Sequence, residues 1–154
     1  MRHILGIFVC FAMVLSLIGC SQMVPIDNVN RSGTVDRTLT MDQISAAIED
    51  GAQNAGWVTK EQGDGQIVAS YQIRTHNVVV MINYSEDTYG IDYKSSKGMK
   101  VQCTDKDYQS SKNIIITGRQ SCPGSEDPKY IHGNYQEWIT RLKASIDHSI
   151  AFSD

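Results

Sequence analysis

Between residues 66 and 94 the chain alternates apolar and polar side chains in three successive runs, and this period of two does most to restrict the folds open to it. Ile67, Ala69, Tyr71 and Ile73 alternate with Gln66, Val68, Ser70 and Gln72. Val78, Val80, Ile82 and Tyr84 continue the pattern beyond a polar turn that holds His76 and Asn77, and Tyr89, Ile91 and Tyr93 follow a second turn at residues 85–88. Successive side chains of a strand point to opposite faces, so the runs predict three strands of an antiparallel meander with one strongly apolar face. Residues 99–103 and 113–117 are expected to add a further hairpin, and a short strand is expected near Thr34 to Leu39. A sheet that is apolar on one face needs a covering layer.

Two helical stripes supply that layer. Met41, Ile44, Ala47, Ile48, Ala52 and Ala55 recur at helical spacing against a face of Asp42, Ser45, Glu49 and Gln53. Thr40 with Gln43 has the form of a capping box, Leu39 and Ile44 take the flanking staple positions, and Gly56 is placed to end the helix. A second stripe of Tyr135, Trp138, Ile139, Leu142, Ile146 and Ile150 opens near Asn134, with Glu137 as a capping-box-like partner, and runs to about Phe152. The fold class expected is α+β: a two-layer sandwich with an antiparallel sheet of about four to six strands and two helices on one face. A length of 154 residues, 41% of them hydrophobic and 20% charged, suits a single domain of this kind.

The N-terminus has a different character. Arg2 precedes an apolar run from Ile4 to Ile18 that no charge interrupts. A spanning helix needs about 20 apolar residues, so the run has the dimensions of an export signal instead. It ends in Leu17-Ile18-Gly19-Cys20, and these residues resemble the lipobox of bacterial type II signal peptides. The resemblance implies cleavage before Cys20, a diacylglyceryl group on its thiol and acylation, palmitate being typical, of its new amine. It therefore implies a signal peptide at 1–19, a lipidated cysteine with a flexible tether at 20–33, and one globular domain at 34–154. Fully extended, such a tether reaches about 40 Å. In enterobacterial members of this family, Asp after the cysteine retains the protein in the inner membrane. Ser21 stands there in this chain, which implies the outer membrane, facing the periplasm.

Two of the other three cysteines lie in the expected domain. Cys10 falls in the apolar run, leaving Cys103 and Cys122, which in an exported chain read as one disulfide. Closing a loop of that length contributes about 3 kcal/mol in the chain-entropy description. The alternative is a metal site with His132 as a further ligand, but the spacing matches no compact Cys and His pattern, so no metal is expected. A second resemblance runs over residues 40–150. Gly56-Trp57, Val78 to Tyr84, Tyr89 to Ser96, and Ile131-His132 followed by Tyr135 and Trp138-Ile139 look like small, largely uncharacterised proteobacterial lipoproteins, with a longer insertion around Cys103 to Cys122. That resemblance implies an envelope address and no particular activity.

Known catalytic signatures do not appear. A net charge of -3 and a pI near 5.7 give no broad positive field, which argues against nucleic acid as a partner. Gly63-Asp64-Gly65 begins like a dinucleotide fingerprint, but Val68 replaces the third glycine. Asp105-Lys106-Asp107 begins like a calcium loop, but Ser110 and Ile116 replace its turn glycine and closing acid. No cofactor is expected. His76 and His132 read as solvated or capping imidazoles, and Trp57 and Trp138 as core anchors. Val79 and Met81 fall on the sheet face away from the helices and form a candidate partner surface. The expected function is a non-enzymatic binding or assembly-accessory module, anchored in the membrane through Cys20, that recognises an envelope protein or cell-wall component. The alternatives are an inhibitor or immunity lipoprotein acting on a wall hydrolase, and a small hydrolase built around His132, Asp127 and nearby hydroxyls.

Overall fold

The computed structural model describes residues 22–27, 31–35, 39–63, 65–103, 116–117, 122 and 128–153. In chain order they form β1 (Met23–Pro25), β2 (Arg31–Thr34), α1 (Met41–Asn54), β3 (Val58–Gly63), β4 (Gln66–Ile73), β5 (His76–Tyr84), β6 (Thr88–Lys97), β7 (Lys100–Gln102), β8 (Ile116–Thr117), β9 (Tyr130–His132) and α2 (Asn134–Ala151). The fold is α+β, as the patterning predicts, and its strands divide into two antiparallel sheets. One has the order β2-β6-β5-β4-β3 and the other β1-β9-β7-β8.

The meander follows from the alternation directly. Ile67, Ala69, Val78, Val80, Ile82, Tyr89 and Ile91 are buried on one face of β4, β5 and β6. Burying an isoleucine or valine stabilises the fold by about 1.5–3 kcal/mol, and slipping any of these strands by one residue would turn its apolar set to water. Register is therefore fixed by burial. Val79 pairs with Ser95 and Val80 with Tyr93, so β6 carries one extra residue, Lys94, in a bulge that restores the apolar phase beyond it.

Both helices cover that face. At the start of α1, Thr40 accepts a hydrogen bond from the Gln43 backbone while Gln43 accepts one from the Thr40 backbone, the reciprocal box anticipated from sequence. At its end, Gly56 N–H donates to the Gln53 carbonyl and Trp57 N–H to Ala52, a Schellman pair made possible by a left-handed Gly56 (φ 85°). Trp57 is thereby turned into the core, where its ring lies 5.2 Å from Tyr71, which in turn lies 5.3 Å from Trp138. The two helices meet at Gly51, where a side-chain carbon would sit 2.6 Å from the Ile146 Cα.

Within residues 20–33, expected to be a tether, the described residues include two paired strands. Met23, Val24 and Pro25 pair with His132, Ile131 and Tyr130, and Ile26 is buried. Arg31 to Thr34 pair with Ile91 to Thr88, so the strand expected at 34–39 lies earlier in the chain. The physical reason is that Met-Val-Pro-Ile is apolar enough to close the edge of a small sheet, although too short to show a period. The hairpin expected from 99–103 and 113–117 is present as β7 and β8, with Lys100 opposite Thr117 and Val101 opposite Ile116. That pair belongs to the second sheet and does not extend the first. The capping box expected at Asn134 and Glu137 is also corrected. Gly133 is the cap residue and makes no side-chain cap bond, and the Asn134 N–H donates instead to His132 Nδ1 at 3.2 Å.

Candidate functional site

Among the described residues, three of the places that carry chemistry or an open surface lie on different parts of the fold. The first is the sheet face turned away from the helices. Paired residues of an antiparallel ladder share a face, so Val58, Ser70, Val79 and Ser95 form one row across it, and Lys60, Val68, Met81 and Asp92 form the next. Val79 and Met81, the residues predicted to lie there, do so and are partly exposed. Val58 at the sheet edge is 72% exposed. Sequence reading missed Val58, because β3 (VTKEQG) is polar on both faces apart from this one residue. A row of amides bounds the apolar group: Gln66 donates to Asn83 at 3.0 Å, and Asn83 donates to Asp92 at 3.0 Å.

The second place is a groove of about 590 Å³ between β2 and the C-terminal half of α2, lined by Gly33, Thr88, Lys143 and Asp147 among others. The Tyr89 hydroxyl donates to Asp147 Oδ1 at 2.5 Å, and Lys143 Nζ donates to Asp147 Oδ2 at 2.5 Å. Each group satisfies the next, with the ammonium also 5.8 Å from the centre of the Tyr89 ring. Burial first, then the hydrogen bond and charge of Asp147, push the Tyr89 phenol well above its ordinary value. This is the chemistry of a strut between sheet and helix, not of a group poised to react.

The third place is a pocket of about 320 Å³ lined by His76, Gly98, Met99, Lys100, His132 and Asn134. His76 opens β5, Lys100 opens β7 and His132 closes β9. Val101 pairs with Ile131 and Gln102 with Tyr130, and one more step along that ladder sets Lys100 opposite His132. Backbone partners fix both imidazoles. A carbonyl can only accept, so His76 Nδ1 donates to the Gly98 oxygen at 2.7 Å and its Nε2 holds the lone pair when the ring is neutral. His132 Nδ1 accepts from the Asn134 N–H, which leaves its hydrogen on Nε2. Burial, with Lys100 and His76 adding to it, holds the His132 imidazole below its ordinary value. The capping role expected of His132 is thus present, while its association with His76 and Lys100 is not legible in the sequence. Among the described residues, the pocket's lining has cationic and imidazole groups but no carboxylate, thiol or hydroxyl side chain. Asp127, expected beside His132, lies outside the described residues.

Cys103 and Cys122 form the disulfide, with S–S 2.01 Å and Cα atoms 5.6 Å apart, and both are buried. Among the described residues no group of three or more His, Cys, Asp or Glu side chains is placed to hold a metal ion. No helix among them is long and apolar enough to cross a membrane. Leu17, Ile18, Gly19 and Cys20 lie outside the described residues. Compared with models of known protein families, with curated proteins and with solved structures, the chain matches none of them.

Proposed function

We propose that this chain is a lipoprotein of the bacterial envelope, held by acyl chains on Cys20 at the periplasmic face of the outer membrane. Its folded part acts there as a non-enzymatic module that binds another envelope protein. The anchor reading rests on Arg2, the uncharged run from Ile4 to Ile18 and Leu17-Ile18-Gly19-Cys20. The disulfide is consistent with an oxidising compartment. Two or three long acyl chains, at about 0.8 kcal/mol per buried CH₂, hold a domain on a membrane without help from the protein surface.

The observation that carries the binding role is the apolar group Val58, Val68, Val79 and Met81, which no described helix covers. A contiguous apolar patch with a polar rim is what a protein partner removes from water. A photoreactive residue at Val79, introduced into the chain in intact cells, tests this. One discrete crosslinked envelope protein, lost when Met81→Glu is added, is the expected result. Crosslinks absent or unchanged by Met81→Glu would overturn it. A second reading, an inhibitor of a wall hydrolase, is favoured by the Cys103–Cys122 disulfide. It predicts loss of inhibition when Cys103 and Cys122 are both replaced by Ser.

A further inference from the structure

We infer that the pocket framed by His76, Lys100 and His132 receives the phosphate of a phospholipid head group in the membrane that holds the protein. The inference deepens the proposed function and rests on its lipid anchor at Cys20. It is carried by the placement of the pocket relative to the anchor and by the set of donors that line it.

Placement comes from one backbone hydrogen bond. Gly133 N–H donates to the Gln22 carbonyl at 2.8 Å, and a side-chain carbon at Gly133 would sit 3.0 Å from that oxygen. The chain entering β1 therefore lies against the first residue before α2. His132 and Asn134, which flank Gly133, both line the pocket. Cys20 precedes Gln22 by two residues, a span of at most about 7 Å when fully extended. An acyl anchor on Cys20 would therefore hold Gln22, and with it the rim of the pocket at Gly133, within two residues' reach of the lipid. Head-group layers are about 5–8 Å deep on each side of the hydrocarbon, so that neighbourhood sits at phosphate depth.

The donors suit an anion at that depth. Lys100 brings a fixed positive charge. His132 presents Nε2–H without having to gain a proton, because its other nitrogen already accepts from the helix backbone. His76, with Nδ1 committed to Gly98, presents Nε2, which becomes a second imidazole donor on protonation. A phosphodiester carries one negative charge and only acceptor oxygens, and charge-assisted N–H···O bonds are its usual recognition. A volume near 320 Å³ is at the lower end for small-ligand sites.

Among the described residues, the adjoining turns carry basic side chains. The β4–β5 turn places Arg74 and Thr75 next to His76, with the Thr75 carbonyl packed close to Gly98. Lys97 ends β6 beside Gly98. From α2 the nearest acid in sequence is Glu137, already paired with Arg141 at 2.7 Å. Anion entry favours the protonated imidazole of His132, so occupation raises its titration midpoint from the lowered value it has in the empty pocket.

The test uses the mature lipidated chain with isotope-labelled histidines, carried in two kinds of vesicle. One is made of phosphatidylglycerol, the other of an uncharged galactolipid without phosphate. The imidazole midpoint of His132 is expected to lie about one pH unit higher in phosphatidylglycerol, and Lys100→Gln is expected to abolish most of the difference. Identical titrations in the two vesicles, or a difference that survives Lys100→Gln with the fold intact by thermal melting, would overturn the inference. So would a response to inorganic phosphate added to the galactolipid sample without any response to phosphatidylglycerol, because the ligand would then be soluble. Flotation separates the two levels of the proposal. A chain that does not float with galactolipid vesicles refutes the anchor, whereas a chain that floats with an unmoved His132 midpoint refutes the pocket alone.

Discussion

Tyr89 lies directly across the β2–β6 ladder from Gly33, and its ring occupies the space that a side chain at 33 would need. A carbon placed there would be 2.3 Å from Tyr89 Cε1. The edge strand β2 is thus a lid of backbone over a buried aromatic ring, and the ring's hydroxyl continues past it to Asp147 on α2. Gly33→Ala is therefore expected to expel the ring or displace β2, at a cost of about 1–3 kcal/mol by denaturant melting.

The two deepest tyrosines are expected to respond oppositely to loss of their hydroxyls. Tyr89→Phe removes a hydrogen bond to a carboxylate and should cost about 1.5 kcal/mol, the lower end for such bonds because Asp147 is 44% exposed. The Tyr135 hydroxyl is buried and has no hydrogen-bond partner among the described residues. Tyr135→Phe is expected to be neutral or stabilising. Equal losses in both variants would contradict this assignment.

The same two phenols make the fold sensitive to alkali. Burial raises both above the ordinary value of 10.0, with Asp147 adding to the effect at Tyr89, and Tyr93 and Asp92 at Tyr135. Above pH 10 the unfolded chain loses these protons while the folded chain keeps them, so stability is full below about pH 10 and falls as pH rises past it. Melts between pH 9 and 12 should show this decline, and Tyr89→Phe with Tyr135→Phe should flatten it. His132 acts at the other end. Its folded-state value is lowered, so it contributes stability above about pH 6.5 that is lost on acidification.

Gly51 is expected to be the least tolerant small residue of the helix pair. The Ile146 Cα and the Ser145 carbonyl lie 2.6 and 2.8 Å from the position of an added carbon, and both are backbone atoms. Ser149 Oγ donates to Asp50 Oδ2 at 3.0 Å in the same contact, which fixes the approach of the helices. Gly51→Ala gains helix propensity of about 1 kcal/mol, yet should still lower stability by about 1–3 kcal/mol because the helices must separate.

What could be read from the sequence was local or strictly periodic. The Thr40–Gln43 box spans four residues, and the β4–β5–β6 meander repeats every two, so both were visible without knowledge of the fold. Val58–Gly63 was not, because an edge strand has polar residues on both faces. Met23–Pro25 was too short to carry a period, and its pairing with β9 depends on residues more than a hundred positions away. The same separation hid the pocket. His76, Lys100 and His132 lie on three strands, and only the ladder between β7 and β9 and the Gly98 turn bring them together. Val79 and Met81 were legible as outer-face residues, since alternation alone assigns them. The resemblance of Leu17-Ile18-Gly19-Cys20 to a lipobox rests on contiguous residues and lies outside the described ones.

A covalent lipid at Cys20 is the central claim, and intact-mass spectrometry of the protein extracted from the native envelope tests it most directly. A lipid anchor predicts a chain that begins at Cys20 and carries the added mass of a diacylglyceryl group, with a further acyl chain on its amine. A chain that begins at Met1, or one with a free thiol at Cys20, would contradict it.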